Sequence, residues 1–271
     1  MYVAGIDVGS VAAKAVVLEA HAGGSPRVAG RAVLPTGWNA AEAGQAVLEL
    51  ACAAAALARE NLARIVATGY GRISLPFADK RITEISCLAG GAAHLFPRAG
   101  IVLDIGGQDS KVISLEGPQT QGVRAPGAVR DFLMNDKCAA GTGRFLQALS
   151  GILDMPLEEL DKAASAGKPI AVSSMCAVFA ETEIVGLLAR GAAPQDIAAG
   201  VFRSIARRMC GLARRITLHG ECVFTGGLAA GPAFAAILSD ELGLPVCVPA
   251  DPQVTGALGA ALIALDLREK K

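Results

Sequence analysis

Two stretches carry thiols where chemistry can use them. "NDKCAAGTGRFLQAL", residues 135 to 149, sets Cys138 ahead of a glycine-rich turn and an amphipathic helix, and "SSMCAVFAETEIVGLLARG", residues 173 to 191, puts Cys176 at the start of another. Thr142 in the first, and Ser173 and Ser174 in the second, suit helix N-caps. A thiol at a helix N-terminus meets backbone donors and the positive end of the macrodipole, which favours the ionised, metal-binding form. With histidines only at 21, 94 and 219, no C-x-x-C and no H-E-x-x-H, one chain cannot complete a four-ligand site from this pair. Two copies related by a two-fold axis can. Cys138 and Cys176 from each would supply four thiolates to one shared centre, the ligand set of a [4Fe–4S] cluster. The competing reading is that both thiols only cap their helices. Cys52, Cys87, Cys210, Cys222 and Cys247 sit in apolar surroundings and read as small buried hydrophobes.

A second kind of chemistry is written twice. "GIDVGSVAAKAVVLEA" from Gly5 and "VLDIGGQDSKVISLEG" from Val102 share the pattern Asp-(Val/Ile)-Gly-(Ser/Gly)-x-x-x-Lys. Each reads as a β-branched strand ending in an aspartate, a glycine turn, and a second strand after the lysine, which is a β-hairpin. Glycine turns let backbone N–H groups approach phosphate oxygens, and the aspartates suit Mg²⁺ or a nucleophilic water. The candidates are therefore Asp7, Gly9, Ser10 and Lys14 in the first hairpin, and Asp104, Gly106, Gly107, Gln108, Asp109 and Lys111 in the second. A third element, "ECVFTGGLAAGPAFAAIL", runs a buried strand into Gly226, Gly227 and then a helix, a place for the nucleoside to pack on backbone. One hairpin alone would be an ordinary tight turn. Two with equal spacing, one heading each half of the chain, point to two lobes that pinch phosphates between them.

The chain must supply a scaffold for these groups, and its totals allow one. It has 271 residues, 52% of them hydrophobic and 18% charged, with 32 glycines, as expected for an aliphatic α/β protein. Lysine and arginine number 25, aspartate and glutamate 25. Such a balance gives no field for gathering nucleic acid or anionic lipid. No apolar run reaches the roughly 18 residues of a membrane span, and Asp7 and Lys14 interrupt the N-terminus, so a cytoplasmic chain with reduced thiols is expected. Residues 41 to 60 read as an alanine-rich helix, a strand leads into "ATGYGR" with turns at Gly69 and Gly71, and "DKRITEISCLAGGAAHLF" reads as a helix with Ile82, Ile85 and Leu88 on one side. "RSIARRMCGLARR", residues 203 to 215, reads as a solvated basic helix face.

The two hairpins and "FTGG", in this order, resemble the phosphate-1, phosphate-2 and adenosine motifs of the actin, Hsp70 and sugar kinase ATPase superfamily. That likeness implies two RNase H-like lobes with ATP in the cleft, one of residues 1–99 plus 253–271 and one of 100–252, the final "VTGALGAALIAL" crossing back to the first. A closer resemblance covers nearly the whole chain. "GIDVGS…K", "ATGYGR", "PFADKRITEISC", "DIGGQDSK", "NDKCAAGTGRFL", "MCAVFAETEIVGLLARG" and "TGGLA" are similar to the signatures of the BadF/BadG/BcrA/BcrD ATPases, which activate 2-hydroxyacyl-CoA dehydratases and include the ATP-hydrolysing subunits of benzoyl-CoA reductase. The resemblance implies a homodimer bridged by one [4Fe–4S] cluster on Cys138 and Cys176, which receives an electron from ferredoxin or flavodoxin and passes it to the partner enzyme as ATP is hydrolysed. A benzoyl-CoA reductase-type enzyme or a double-cubane cluster protein stays open as the acceptor. So, outside the resemblance, do a chaperone-like ATPase and a small-molecule kinase. Val11, Ala12 and Ala13 stand where family members often carry hydroxyl residues, leaving Ser10, Lys14 and backbone donors for phosphate. Ala230 and Gly231 stand where a polar residue is usual.

Overall fold

A computed structural model describes residues 1–21, 24–116, 127–172 and 176–267. In chain order it begins with strands β1 (Tyr2–Val8), β2 (Ala12–Glu19) and β3 (Arg27–Pro35), helix α1 (Ala40–Ala54), strands β4 (Leu62–Thr68) and β5 (Lys80–Arg81), and helix α2 (Glu84–Leu95). Strands β6 (Ala99–Ile105), β7 (Ser110–Leu115) and β8 (Val129–Asn135) follow, then helices α3 (Gly143–Leu153), α4 (Leu157–Ala166), α5 (Ala177–Ala189) and α6 (Pro194–Ala213). The chain closes with β9 (Glu221–Gly226), α7 (Pro232–Leu242), β10 (Val246–Cys247) and α8 (Thr255–Asp266). It divides into two compact units, Met1–Ala99 with Leu115–Arg130 and Gln253–Lys271, and Gly100–Ser114 with Asp131–Pro252.

The first unit holds a five-stranded sheet in the order β3-β2-β1-β4-β5. β1 pairs antiparallel with β2 and parallel with β4, and β3 pairs antiparallel with β2. Alternation along β1 sends Ala4, Ile6 and Val8 into a core with Val47, Leu48 and Ala51 of α1, and sends Val3 into a core with Ala257, Ala260 and Ala261 of α8. Asn39 starts α1 by accepting from the amides of Ala41 and Glu42 through Oδ1, at 3.2 and 3.3 Å. The helix stops at Ala54, short of the predicted 60. Ala56 turns left-handed (φ +53°) and the Leu57 amide bonds the Cys52 carbonyl at 3.1 Å, a closure that usually uses glycine and so left no mark in the sequence. The helix predicted from "DKRITEISCLAGGAAHLF" begins only at Glu84, capped by Thr83, because Lys80 and Arg81 pair with β4 instead, and Ile82 falls outside it.

The second unit repeats the design. Its sheet runs β10-β9-β6-β7-β8, with β6 and β7 antiparallel and β9 and β10 parallel. Position for position this is the order of the first sheet, so the duplicated sequence pattern sits on a duplicated strand order. Ile101, Leu103 and Ile105 of β6 join Phe145 and Leu149 of α3, Val201 and Phe202 of α6, and Phe234 of α7 in one core. Cys52, Cys87, Cys210 and Cys222 are buried, as expected, while Cys247 is half-buried. No helix among the described residues is long and apolar enough to cross a membrane.

In the first unit α8 lies directly on the sheet. A Cβ at Gly5 would fall 2.0 Å from the Ala257 carbonyl oxygen, and one at Gly259 would fall 1.7 Å from that of Cys87 in α2. Both neighbours are backbone and cannot step aside. Gly5→Ala and Gly259→Ala are each expected to cost about 1–3 kcal/mol and to lower the thermal midpoint by about 2–9 °C. Gly211→Ala, in α6 with open space around it, should be neutral or stabilising by up to about 1 kcal/mol. Circular dichroism melts of the three variants check this.

Candidate functional site

The first hairpin places Asp7 and Lys14 opposite each other in register, with Lys14 Nζ donating to Asp7 Oδ2 at 3.2 Å. Its turn is closed by the Gly9 amide bonding the Ala12 carbonyl at 3.0 Å. Thr36, just past β3, braces that turn: its hydroxyl donates to the Gly9 carbonyl at 2.8 Å and its amide to the Val11 carbonyl at 2.9 Å. The carboxylate of Asp7 is flanked by glycines from elsewhere in the unit. A Cβ at Gly69, just after β4, would meet Asp7 Oδ1 at 2.3 Å, and one at Gly256 would meet Oδ2 at 3.1 Å.

The second hairpin is built alike. Asp104 faces Lys111 in register, the Gly106 amide bonds the Asp109 carbonyl at 2.9 Å, and Lys111 Nζ donates to Asp104 Oδ2 at 3.4 Å and Asp109 Oδ1 at 2.7 Å. Asp104 is 6% exposed, so its charge rests on these partners and on the Thr225 hydroxyl, which donates to Oδ1 at 2.8 Å. Gly226 follows at φ +93°, where a side chain would strike the Ile105 carbonyl at 2.3 Å and crowd Asp104 Oδ1 at 3.1 Å. Gly69 has the same role at φ +81°. The duplication therefore extends past the hairpins: each unit ends a further strand in Thr-Gly, at 68–69 and 225–226, and each glycine gives its aspartate room. Gln108 is exposed at the tip of the turn, Asp109 and Ser10 are half-buried, and Gly227 is exposed.

The cysteine turn hangs directly on this second hairpin. The first amides of α3, Gly143 N and Arg144 N, donate to the carbonyls of Gly106 and Gly107, both at 2.9 Å. That corrects the expectation that the helix N-terminus faces Cys138. Cys138 instead precedes a single 3₁₀ turn, Ala139–Gly141, and α3 starts beyond it. Thr142 occupies the predicted N-cap, but its hydroxyl donates back to the Ala139 carbonyl at 2.8 Å rather than capping α3, whose first donors are already used. The Asn135 side chain clasps the other end, accepting from the Cys138 amide at 3.2 Å and donating to the Cys138 carbonyl at 3.0 Å. Cys176 heads α5 as expected and is exposed. The caps predicted at Ser173 and Ser174 lie outside the described residues. α3 and α5 pack against each other, and Val178, Phe179 and Val185 of α5 are exposed.

Sequence reasoning missed Asp161. This carboxylate on the buried face of α4 accepts from the amides of Ala233 and Phe234, at 3.1 and 3.2 Å. It thus occupies the start of α7, so the diglycine does not open a vacant helix end. Gly227 enters a 3₁₀ turn, Gly227–Ala230, and α7 follows at Pro232. Lone acids on amphipathic helices are common, and nothing local to "EELDKAAS" separates this one.

Burial raises the thiols of Cys87 and Cys222 to about 12 and that of Cys210 to about 11, and raises Cys52 as well. At pH 8 a thiol of pKa 11 is ionised about one part in a thousand. In metal-free native protein, iodoacetamide at pH 8 should label Cys176 and leave Cys87, Cys210 and Cys222 unlabelled until the chain is unfolded. Mass spectrometry of the digested protein reads the outcome.

Among the described residues no three His, Cys, Asp or Glu side chains gather as a metal site. The model for the BadF/BadG/BcrA/BcrD ATPase family matches residues 4–264. The chain is 43% identical over 275 residues to the activator of lactoyl-CoA dehydratase from Anaerotignum propionicum, covering 100% of both. It is also similar to a solved structure, the activator of the 2-hydroxyisocaproyl-CoA dehydratase from Clostridium difficile with bound ADPNP: TM-score 0.89, 38% identity, 98% of this chain and 95% of that one. A ROK family glucokinase from Streptomyces griseus, 14% identical with a TM-score of 0.58 over 98% of this chain and 100% of its own, shares the fold alone. Two α/β units of the actin, Hsp70 and sugar kinase type, each presenting an aspartate-lysine hairpin, are thus the frame of an ATPase, and the chain belongs to the BadF/BadG/BcrA/BcrD ATPase family.

Proposed function

We propose that this ATPase is an activator whose hydrolysis of ATP drives delivery of a low-potential electron to a 2-hydroxyacyl-CoA dehydratase, with reduced ferredoxin or flavodoxin as donor in the cytoplasm. The names of its full-length relatives support the activator role. In this reading Asp7 and Asp104 hold Mg²⁺ and its waters, and the backbone of Gly9, Gly106 and Gly107, with Ser10, Lys14 and Lys111, takes the phosphate oxygens. Gly226 and Gly227 lie against the adenosine. Gln108 and Asp109 orient the water that attacks the γ-phosphorus, the bond to the bridging oxygen breaks, and ADP and phosphate leave.

The donor set suits an iron–sulfur group. Each chain offers two soft sulfur ligands, Cys138 and Cys176, at the heads of adjoining elements, and a second copy supplies the other two. The apolar side chains exposed on α5 behind Cys176, Val178, Phe179 and Val185, support a homodimer formed on that side. A [4Fe–4S] cluster bound there would supply a one-electron carrier of low potential.

The observation that carries this reading is the pair of bonds from Gly143 and Arg144 to the carbonyls of Gly106 and Gly107. A nucleotide shifts an equilibrium only by binding one arrangement better than another. Any rearrangement of the Gly106–Asp109 turn around phosphate pulls on the α3 N-terminus, and with it on the turn that holds Cys138. Asn135 fixes the far side of that turn, so displacement reaches the thiol.

Three outcomes are expected. Lys111→Ala should lower the ATPase rate about 10²-fold or more, read by phosphate release. Gly143→Val, whose side chain would press on the Gly106 carbonyl, should keep ATP hydrolysis within a few-fold while losing electron delivery, followed by dehydratase activity in a coupled anaerobic assay. Protein purified without oxygen should carry about four irons and four sulfides per dimer, with Cys138 and Cys176 protected from alkylation. A monomeric, iron-free chain from the same preparation would overturn the cluster assignment, and an electron-transfer rate indifferent to nucleotide would overturn the coupling.

A further inference from the structure

The basic stretch read as a solvated face is exposed at Arg207, Arg214 and Arg215, and it also borders a cavity. Arg203, Ser204, Arg207 and Arg208 project from one stripe of α6 and, with residues 169–172, line a cavity of about 470 Å³. Its opposite wall is fixed. The Lys168 amide donates to Asp196 Oδ1 at 2.7 Å and the Ile170 amide to the Asp196 carbonyl at 3.2 Å. Gly200 lets that wall approach the helix, for a Cβ there would lie 1.9 Å from the Ile170 carbonyl oxygen. Glu241 of α7 then sets the arginines. One oxygen of its carboxylate pairs with Nε of both Arg203 and Arg207, at 3.3 and 3.2 Å. Two guanidiniums on one carboxylate keep a net positive charge.

The cavity also touches the cysteine elements. Arg208 runs along Gly141, in the 3₁₀ turn after Cys138, where a Cβ would come within 3.8 Å of its Cβ and Cδ. At the other wall, Val172 precedes Cys176 by four residues. A concave site with paired guanidinium forks, a serine hydroxyl, and Pro169, Ile170 and Val172 as an apolar flank suits a phosphate ester carrying an organic body. A flat acidic protein surface would not fill it.

We propose that this cavity binds a diphosphate ester, the group that a nucleoside diphosphate and coenzyme A both carry, and that its occupancy steadies the turn holding Cys138. The site is separate from the aspartate-lysine hairpins and stands whether or not Cys138 binds iron.

Calorimetric titration with inorganic pyrophosphate, ADP and coenzyme A, on the dimer or the monomer as purified, tests it. A binding event is expected that survives Lys14→Ala and weakens at least tenfold in the Arg203→Ala/Arg207→Ala double variant, which should keep its basal ATP hydrolysis. Arg203→Lys/Arg207→Lys, retaining charge and helix but losing the forks, should fall between. Tighter binding of ADP than of coenzyme A at this event identifies a nucleoside diphosphate as the source, and the reverse order identifies coenzyme A. Hydrogen exchange at residues 138–142 should slow on binding in wild type and not in the double variant. Binding that is lost with Lys14→Ala and unchanged by both arginine variants would overturn the proposal. So would a cavity that takes polyglutamate peptide in preference to all three phosphate compounds, since its occupant would then be an acidic protein.

Discussion

Two backbone hydrogen bonds, from the first amides of α3 to the carbonyls of Gly106 and Gly107, set the layout of the second unit. A helix start leaves its first amides without partners inside the helix, and they must be satisfied from outside. Here the partners are the carbonyls of the turn between β6 and β7. The same four-residue turn thus closes on itself through the Gly106 amide and offers acceptors to a helix. Because both bonds join backbone to backbone, they constrain position without depending on any side chain, and they tie the Cys138 turn to a rigid strand pair.

The remaining contacts serve that junction. Asp104 is buried and charged, a costly state unless it is surrounded by donors. Lys111 from the neighbouring strand and Thr225 from β9 supply them, so three strands meet at one carboxylate and the turn they support cannot drift. The first unit reaches the same end with Asp7, Lys14 and the braces from Thr36. Each aspartate meets its lysine across the strand pair, and that pairing needs Asp and Lys at a fixed spacing, since only cross-strand register brings them together.

Asp161 shows how one element can close what another leaves open. By capping α7 it removes two donors next to the diglycine, leaving Gly226 and Gly227 as a surface of backbone rather than an anion site.

The hairpins, the equal spacing of aspartate and lysine in them and the burial of four of the cysteines were legible in the sequence, because each rests on local pattern and on residues within one or two strands of each other. The end of α1 at Ala54 was not, since an alanine, Ala56, adopted the left-handed conformation that glycine usually marks. The role of Thr142 differs for a related reason: a cap is defined by which donors are free, and those of α3 are claimed by carbonyls 37 residues earlier. Asp161, the grip of Asn135 on Cys138 and the cavity beneath Arg203 and Arg207 likewise join segments distant along the chain. Sequence by itself determined which groups could do chemistry and their local geometry. Only the tertiary structure decided which backbone donors were already spent, because that depends on long-range packing that no local pattern encodes.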